Sequence, residues 1–167
     1  MKKIFRNVVA AFAAVMLVSA FASCKSNDDD DDKKPDPKAD TPVETVVEVW
    51  SGSQTIDWDA KGVVIDHAKF TKDFTSIRIT YNATAGALKM AVCDPWTEIT
   101  AKSVSEGSSI ADDGAINLAT GDGKTVTITL ADAAVAGIKG QGKDGAWGGV
   151  KIFGADTITI TKVESVK

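Results

Sequence analysis

Residues 76–83 read SIRITYNA, and this stretch decides the fold because its apolar residues recur at every second position. Ile77 and Ile79 alternate with Arg78 and Thr80, which predicts a strand with one buried face and one face in water. A helix would instead repeat its apolar residues at intervals of three and four. The segment therefore predicts a strand of an antiparallel sheet that is covered on one side only.

The same period of two returns in most of the chain beyond Glu44. Alternating or β-branched segments are found in TVVEVW (45–50), VVID (63–66), ALKMAVC (87–93), TVTITL (125–130), GVKIFG (149–154) and TITITKV (157–163). Gly, Asp and Ser separate about seven or eight predicted strands at short intervals, which is typical of a sandwich. One short helical turn is expected from Asp132 to Ile138, with Asp132 as its N-cap. The sequence thus predicts an all-β fold, an antiparallel β-sandwich of the jelly-roll kind, over residues 44–167.

The start of the chain has the order of a secretory signal. Lys2, Lys3 and Arg6 precede an apolar run from Val8 to Ala22, which ends in the residues FASC. A run of about 15 apolar residues is short for a transmembrane span and fits the apolar region of a signal peptide. We therefore predict a signal peptide over residues 1–23.

The stretch FASC (21–24) resembles the lipobox of bacterial lipoproteins, in which small residues precede a Cys that receives acyl chains. The resemblance implies a mature protein that begins at a lipidated Cys24 and is anchored in the outer membrane, at the cell surface or else on the periplasmic side. Residues 24–43 then form a disordered linker of Pro and charged residues. Its five aspartates, 28–32, resemble a surface-export tag, and a solvated spacer is the alternative.

Charge and cysteine content limit the kinds of partner and covalent link that are expected for the domain of residues 44–167. It carries 12 Lys and Arg against 16 Asp and Glu, and its basic residues are scattered. A nucleic-acid partner is not expected, since binding would need a positive stripe. After lipidation of Cys24 only Cys93 remains, so we expect no disulfide and interpret Cys93 as a small core residue of a monomer.

Few residues are available for catalysis. The single histidine, His67, is expected to be structural, because zinc sites and Ser-His-Asp machinery would rest on it alone. Glycoside hydrolysis needs two carboxylates at one cleft, and the chain offers Asp57, Asp59, Asp94 and Glu98. A sandwich of about 120 residues leaves few long loops for a deep cleft, so we expect no catalytic residue.

No cofactor is expected, although a structural calcium ion is left open. Asp112, Asp113 and Asp122 lie in one loop region, but their spacing departs from that of an EF-hand loop. Solvated turn residues are the favoured interpretation.

The tryptophans carry the positive signal for binding. Trp50, Trp58, Trp96 and Trp147 lie in or beside loops rich in Gly, Asp and Pro. An exposed indole covers the C–H face of a sugar ring while neighbouring polar groups bind the hydroxyls. We expect half-buried packing for Trp50; for the other three, capping of the core is the alternative to sugar binding.

Polar residues beside these tryptophans complete the candidate site. Trp58 lies between Asp57 and Asp59, and Trp96 follows Asp94 by two positions. Four further residues, Arg78, Lys89, Thr127 and Lys151, alternate with the apolar sets and are expected to share one solvent-facing sheet surface. Arg78 and Lys151 are the candidate ligands there, and an ordinary wet sheet face is the alternative.

The segments VWSGSQTIDW (49–58), SIRITY, AVCDPW (91–96), TVTITL and GGVKIFGADTITITKVES (148–165), in this order, resemble the galactose-binding-like carbohydrate-binding modules of surface lipoproteins and polysaccharidases. The resemblance covers nearly all of Val46 to Val166 and departs from the family pattern at Phe153 and Trp147. It implies a jelly-roll sandwich that holds plant or microbial glycans without cleaving them.

The sequence therefore predicts a non-catalytic surface lipoprotein that binds oligo- or polysaccharide for a glycan-utilisation system. An adhesion or structural lipoprotein that binds a protein partner is the alternative, and a small glycoside hydrolase comes third. The pattern leaves open whether a glycan lies on a sheet face or at the loop tips.

Overall fold

The computed structural model of the chain describes residues 43–167, which belong to one compact unit. The predicted signal peptide, Cys24 and all but the last residue of the predicted linker lie outside the described residues. Within the described part, no helix is long and apolar enough to span a bilayer.

Eleven strands make up most of the domain. In chain order they are β1 (Val46–Thr55), β2 (Val63–Asp66), β3 (Ser76–Ala83), β4 (Ala87–Cys93), β5 (Trp96–Glu98), β6 (Ala101–Val104), β7 (Ser109–Ile110), β8 (Ile116–Asn117), β9 (Gly121–Leu130), β10 (Gly149–Gly154) and β11 (Ile158–Val166).

The strands form two antiparallel sheets. The first sheet has the order β1-β11-β3-β9-β6, and the second has the order β2-β10-β4-β8-β7, with β5 also paired to β4. Side chains from both sheets meet in one hydrophobic core. The predicted all-β antiparallel sandwich is confirmed, whereas its assignment to jelly rolls and to the galactose-binding-like modules stays a prediction.

Alternation along the strands decides which side chains enter the core. Ile77 and Ile79 of β3 are fully buried between the sheets, as are Leu88 and Met90 of β4. Each such side chain contributes about 1.5–3 kcal/mol by leaving water. The bounds of β2, β3, β4 and β10 match the predicted segments residue for residue.

Four strands, β5 to β8, are not predicted from the sequence. They have only two to four residues each. Unlike β2, which buries Val63 and Ile65 within four residues, these strands are mostly exposed and show no alternation of buried apolar residues. All four lie in the connection between β4 and β9.

The helical turn is confirmed as α1 (Asp132–Lys139), but the predicted N-cap is wrong. Ala131 is the N-cap and provides no side-chain hydrogen bond, while Asp132 is the first helical residue. A carboxylate in the first turn still favours the helix through its dipole. Two 3₁₀ turns, His67–Lys69 and Lys143–Gly145, complete the helical structure of the described residues.

Two predictions on single residues have different outcomes. Trp50 is partly buried against the core, as expected. Cys93 is not a core residue: it is half-buried and follows Lys89 and Ala91 on the side of β4 that faces away from the core. Burial raises the pKa of its thiol, while the nearby charge of Lys151 opposes this rise.

Candidate functional site

The outer face of the second sheet carries the candidate site. In β10 the side chains of Val150 and Ile152 enter the core, so Lys151 and Phe153 between and after them point to the opposite side. Lys151 pairs with Ala91 and Phe153 pairs with Lys89 across the ladder to β4. Directly paired residues lie on the same face of a sheet, so these four side chains form one surface.

Two indoles lie against Phe153 on this surface. The Trp96 ring has its centroid 5.5 Å from that of Phe153 at an interplanar angle of 47°, and the Trp58 ring lies 6.1 Å away at 84°. Both distances are typical of favourable aromatic pairs. We call Trp58, Trp96 and Phe153 the aromatic cluster.

The members of the aromatic cluster differ in their access to water. Phe153 is only 8% exposed because the indoles cover it, whereas Trp58 is 47% exposed and Trp96 is 53% exposed. Each indole therefore packs one part on Phe153 and presents the rest to solvent. Large apolar side chains that are exposed together on one surface mark a binding site more often than isolated ones do.

The β1–β2 loop positions Trp58. Oδ1 of Asp57 accepts hydrogen bonds from the backbone N–H groups of Asp59 (2.9 Å) and Lys61 (2.8 Å), and the carbonyl of Asp57 accepts one from Gly154 (3.1 Å). The hydrogen bond from Lys61 is the main cause of the lowered pKa of Asp57. Asp57 thus shapes the loop that holds Trp58, and one of its carboxylate oxygens is engaged in this task.

The turn between β4 and β5 positions Trp96. Trp96 pairs with Cys93 and therefore extends over the same outer face. Gln141, which is buried, accepts a hydrogen bond from the backbone N–H of Asp94 and donates one to its carbonyl. The side chain of Asp94 is exposed, and its backbone ties the turn to the segment after α1.

Lys151 extends between these two tryptophan-bearing segments. Its Nζ lies 5.9 Å from the ring centroids of both Trp96 and Phe153, within the range of a cation–π contact. The same Nζ donates to the carbonyl of Asp59 at 3.1 Å. The ammonium group is therefore held at the edge of the aromatic cluster.

The neighbouring cation, Lys89, is neutralised by the protein itself. Its Nζ lies 3.2 Å from Oε2 of Glu98 and 3.6 Å from Oδ2 of Asp113. The hydrogen bond with Glu98 is the main cause of the raised pKa of Lys89. The sequence places Lys89 on the same solvent-facing surface as Lys151, but it does not predict the ion pairs with Glu98 and Asp113.

Arg78 does not join Lys151, so the expectation of one shared polar surface is wrong. Arg78 lies in β3 of the first sheet, where its Nε donates to Oγ1 of Thr127 (3.3 Å) and its Nη2 pairs with Glu44 (2.7 Å). Lys89 and Lys151 lie in the second sheet. Alternation assigns a side chain to one side of its strand but does not say which sheet the strand joins.

Trp147 is 57% exposed in the loop before β10, and no aromatic contact joins it to the cluster in the described part of the chain. Gly148, the next residue, accepts a hydrogen bond from the backbone of His67 and contacts the ring Nδ1 at 3.0 Å. His67 therefore anchors this loop to β2, in keeping with its expected structural role.

The aspartates considered for calcium are not gathered into a site. Among residues 43–167, no group of three or more His, Cys, Asp or Glu side chains converges as a metal ion would require. Asp113 instead accepts a hydrogen bond from the N–H of Ala115 and faces Lys89. Asp112 occupies the same turn, and Asp122 lies in β9.

A separate cavity of about 350 Å³ lies between α1 and the β5–β6 segment. Its lining is mostly apolar and includes small residues of α1 and its N-cap, among them Ala131, Ala134 and Gly137. Neither Trp58 nor Trp96 lines it. The two indoles therefore lie outside this cavity, although Glu98, the partner of Lys89, is part of its lining.

The comparisons with known proteins returned nothing: no family model, no curated protein and no solved structure matched this chain.

Proposed function

We propose that the domain binds oligo- or polysaccharide on the outer face of the second sheet, with Trp58 and Trp96 as the surfaces on which sugar rings stack. The observation that carries the proposal is the convergence of these indoles on Phe153, with about half of each indole left in water. The C–H faces of sugars are apolar and flat enough to cover such rings. Phe153 supports both indoles from below and restricts their motion.

Polar groups around the aromatic cluster supply the directional contacts that sugar hydroxyls need. Lys151 offers an ammonium group beside the rings of Trp96 and Phe153, and the charged pair of Lys89 and Glu98 lies on the same face. A few polar groups at the border of an apolar surface are the usual arrangement in ligand sites. The glycan would therefore lie on the face of the second sheet rather than at the loop tips.

The proposed role is capture without cleavage. A general acid for glycoside hydrolysis needs a raised pKa, whereas the loop hydrogen bonds lower that of Asp57. Glu98 is engaged by Lys89. Asp57 thus serves the structure of its loop, and Glu98 serves the charge balance of the site.

The proposed location is the outer membrane, with Cys24 as the lipid-modified first residue of the mature protein. Several acyl chains on one Cys give stable anchoring, which a single chain does not. A tethered sandwich with an exposed aromatic surface would hold glycan close to neighbouring enzymes and importers. Growth with radiolabelled palmitate tests the lipid modification, since Cys24→Ser should abolish labelling of the protein; fractionation of the membranes tests the location.

Affinity electrophoresis of the protein from Lys25 onward tests the binding function. We expect retardation by at least one polysaccharide from a panel of β-glucans, xylans, mannans and pectins. Trp58→Ala and Trp96→Ala should each weaken binding at least about fivefold, because each removes a stacking surface worth about 1–3 kcal/mol.

Trp147→Ala is the matched control. It removes an equally exposed indole that has no contact with Phe153 in the described structure. Circular dichroism should show that all three variants keep the fold. The proposal fails if no polysaccharide retards the protein, or if the loss of Trp58 and Trp96 together leaves retardation unchanged.

A further inference from the structure

We infer that the aromatic cluster binds an acidic glycan, one that contains uronic acid, and that Lys151 determines this specificity by pairing with the sugar carboxylate. The inference rests on the proposed function and names the ligand class of the same site. Three features of the Lys151 ammonium group lead to it: where the group lies, which protein groups hold it there, and the absence of a carboxylate within ion-pair distance in the described residues.

The position of Lys151 suits a group carried by a stacked sugar. Its Nζ lies 5.9 Å from the centroids of both Trp96 and Phe153. A sugar ring on the Trp96 indole would bring its ring substituents to the border of the cluster, where this ammonium group lies. Charge-assisted hydrogen bonds to a carboxylate are about twice as strong as those between neutral groups.

The protein holds Lys151 in this position. The side-chain stem packs against Gly62, where an added Cβ would lie 2.7 Å from Cε of Lys151. The ammonium group donates one hydrogen bond to the carbonyl of Asp59. An ammonium group has three donors, so two remain for a ligand. A lysine that is held before binding loses less side-chain entropy when the ligand arrives.

Lys151 and Lys89 differ in the carboxylates that lie close to their ammonium groups. Lys89 is flanked by two carboxylates, Glu98 and Asp113. In the described residues, Lys151 has no carboxylate within ion-pair distance, and its protein partner is a neutral carbonyl. A ligand carboxylate would therefore meet a cation that has no ion-pair partner of its own, beside aromatic rings that cover part of it and strengthen the attraction.

Isothermal titration with pairs of matched glycans tests the inference. Polygalacturonate, glucuronoxylan and alginate are each compared with a form whose carboxyl groups have been chemically reduced to neutral alcohols. For at least one pair we expect the wild-type protein to bind the acidic form at least tenfold more tightly. The preference should shrink in high salt, because salt screens a partly exposed ion pair.

Lys151→Gln should bind the acidic and the reduced form with similar affinity, so the tenfold preference of the wild type for the acidic form should be lost. Lys102→Gln is the matched control, since it makes the same change in net charge at an exposed position of the first sheet. This control should keep the full preference for acid.

The outcomes separate the inference from the proposed function. If reduced and acidic forms bind equally well and both depend on Trp58 and Trp96, the acidic specificity is overturned and glycan binding stands. An acidic preference that Lys151→Gln leaves intact also overturns the role of Lys151. If neither form of any glycan binds, both proposals fall.

Discussion

The side-chain amide of Gln141 closes a ring of two hydrogen bonds with the backbone of Asp94: Oε1 accepts from its N–H at 3.0 Å, and Nε2 donates to its carbonyl at 2.6 Å. The same Oε1 also accepts from the N–H of Gly149 at 3.3 Å. One buried side chain thus joins the turn that carries Trp96 to the first residue of β10.

Gln141→Met should lower the free energy of unfolding by about 1–3 kcal/mol, because a side chain of similar size leaves these backbone groups without a partner. Urea denaturation followed by circular dichroism measures the loss. Gln54→Met is the control: the Gln54 amide donates to the carbonyl of the adjacent Thr55 in an exposed position, and its loss should cost less than about 0.5 kcal/mol. Equal effects of the two variants would contradict the bridging role of Gln141.

Gly62→Ala should both destabilise the domain and displace Lys151. The added methyl group would lie 2.7 Å from the carbonyl oxygen of Ile152 and 2.7 Å from Cε of Lys151. Overpacking of this kind costs about 1–3 kcal/mol, measured by thermal or urea unfolding. Gly137→Ala is the control, since its methyl group would meet Val92 at an ordinary 3.9 Å and should stabilise α1 by about 0.5–1 kcal/mol. A fully stable Gly62→Ala variant would contradict the close packing of Lys151.

Asp57→Asn should remove part of the acid sensitivity of the domain. The pKa of Asp57 is lowered below its ordinary 3.8, chiefly by the hydrogen bond from Lys61. A carboxyl with a lowered folded-state pKa contributes stability that is present above the unfolded-state pKa and is lost as the pH falls through the folded-state pKa. The difference in unfolding temperature between wild type and variant should therefore be constant above pH 5 and shrink below about pH 4. A difference that does not change with pH would contradict the role of the charge.

Tyr81→Phe should cost about 1 kcal/mol at neutral pH, because the buried Tyr81 hydroxyl donates to the carbonyl of Ala119 at 3.0 Å. Burial raises the pKa of Tyr81 above its ordinary 10.0. The unfolded chain then ionises first as the pH rises, so the wild-type stability falls above about pH 10. The variant lacks this ionisable group. The difference in unfolding free energy between wild type and variant should therefore become smaller between pH 9 and pH 11, as measured by urea titration. A constant disadvantage would show that the phenol does not ionise differently in the two states.

The sequence predicts the long strands because each one buries one face, and burial of alternate residues leaves a period of two in the chain. The strands from Trp96 to Asn117 leave no such trace because they are short and mostly exposed. The N-cap is misplaced by one residue because Asp is favoured both at the cap and in the first turn, so residue type alone does not separate the two positions.

The sequence predicts individual residues of the candidate site, but it does not predict which of them come together in the fold. Trp58 and Trp96 stand out in sequence because they lie among polar loop residues, yet nothing in their spacing shows that both contact Phe153. One signal was present: Phe153 shares the outward register of Lys151, so β10 places a large aromatic residue where a polar one is expected. The separation of Arg78 from Lys151 depends on which sheet each strand joins, and this is decided by long-range pairing.

The place of β11 in the first sheet has a consequence for the time at which the domain folds. β11 is the last strand in the chain, yet it lies between β1 and β3 and is paired with both. During synthesis β1 therefore has no partner in its sheet until the ribosome has translated β11. Pairings of such long sequence separation form slowly, so we expect the first sheet to close late in folding.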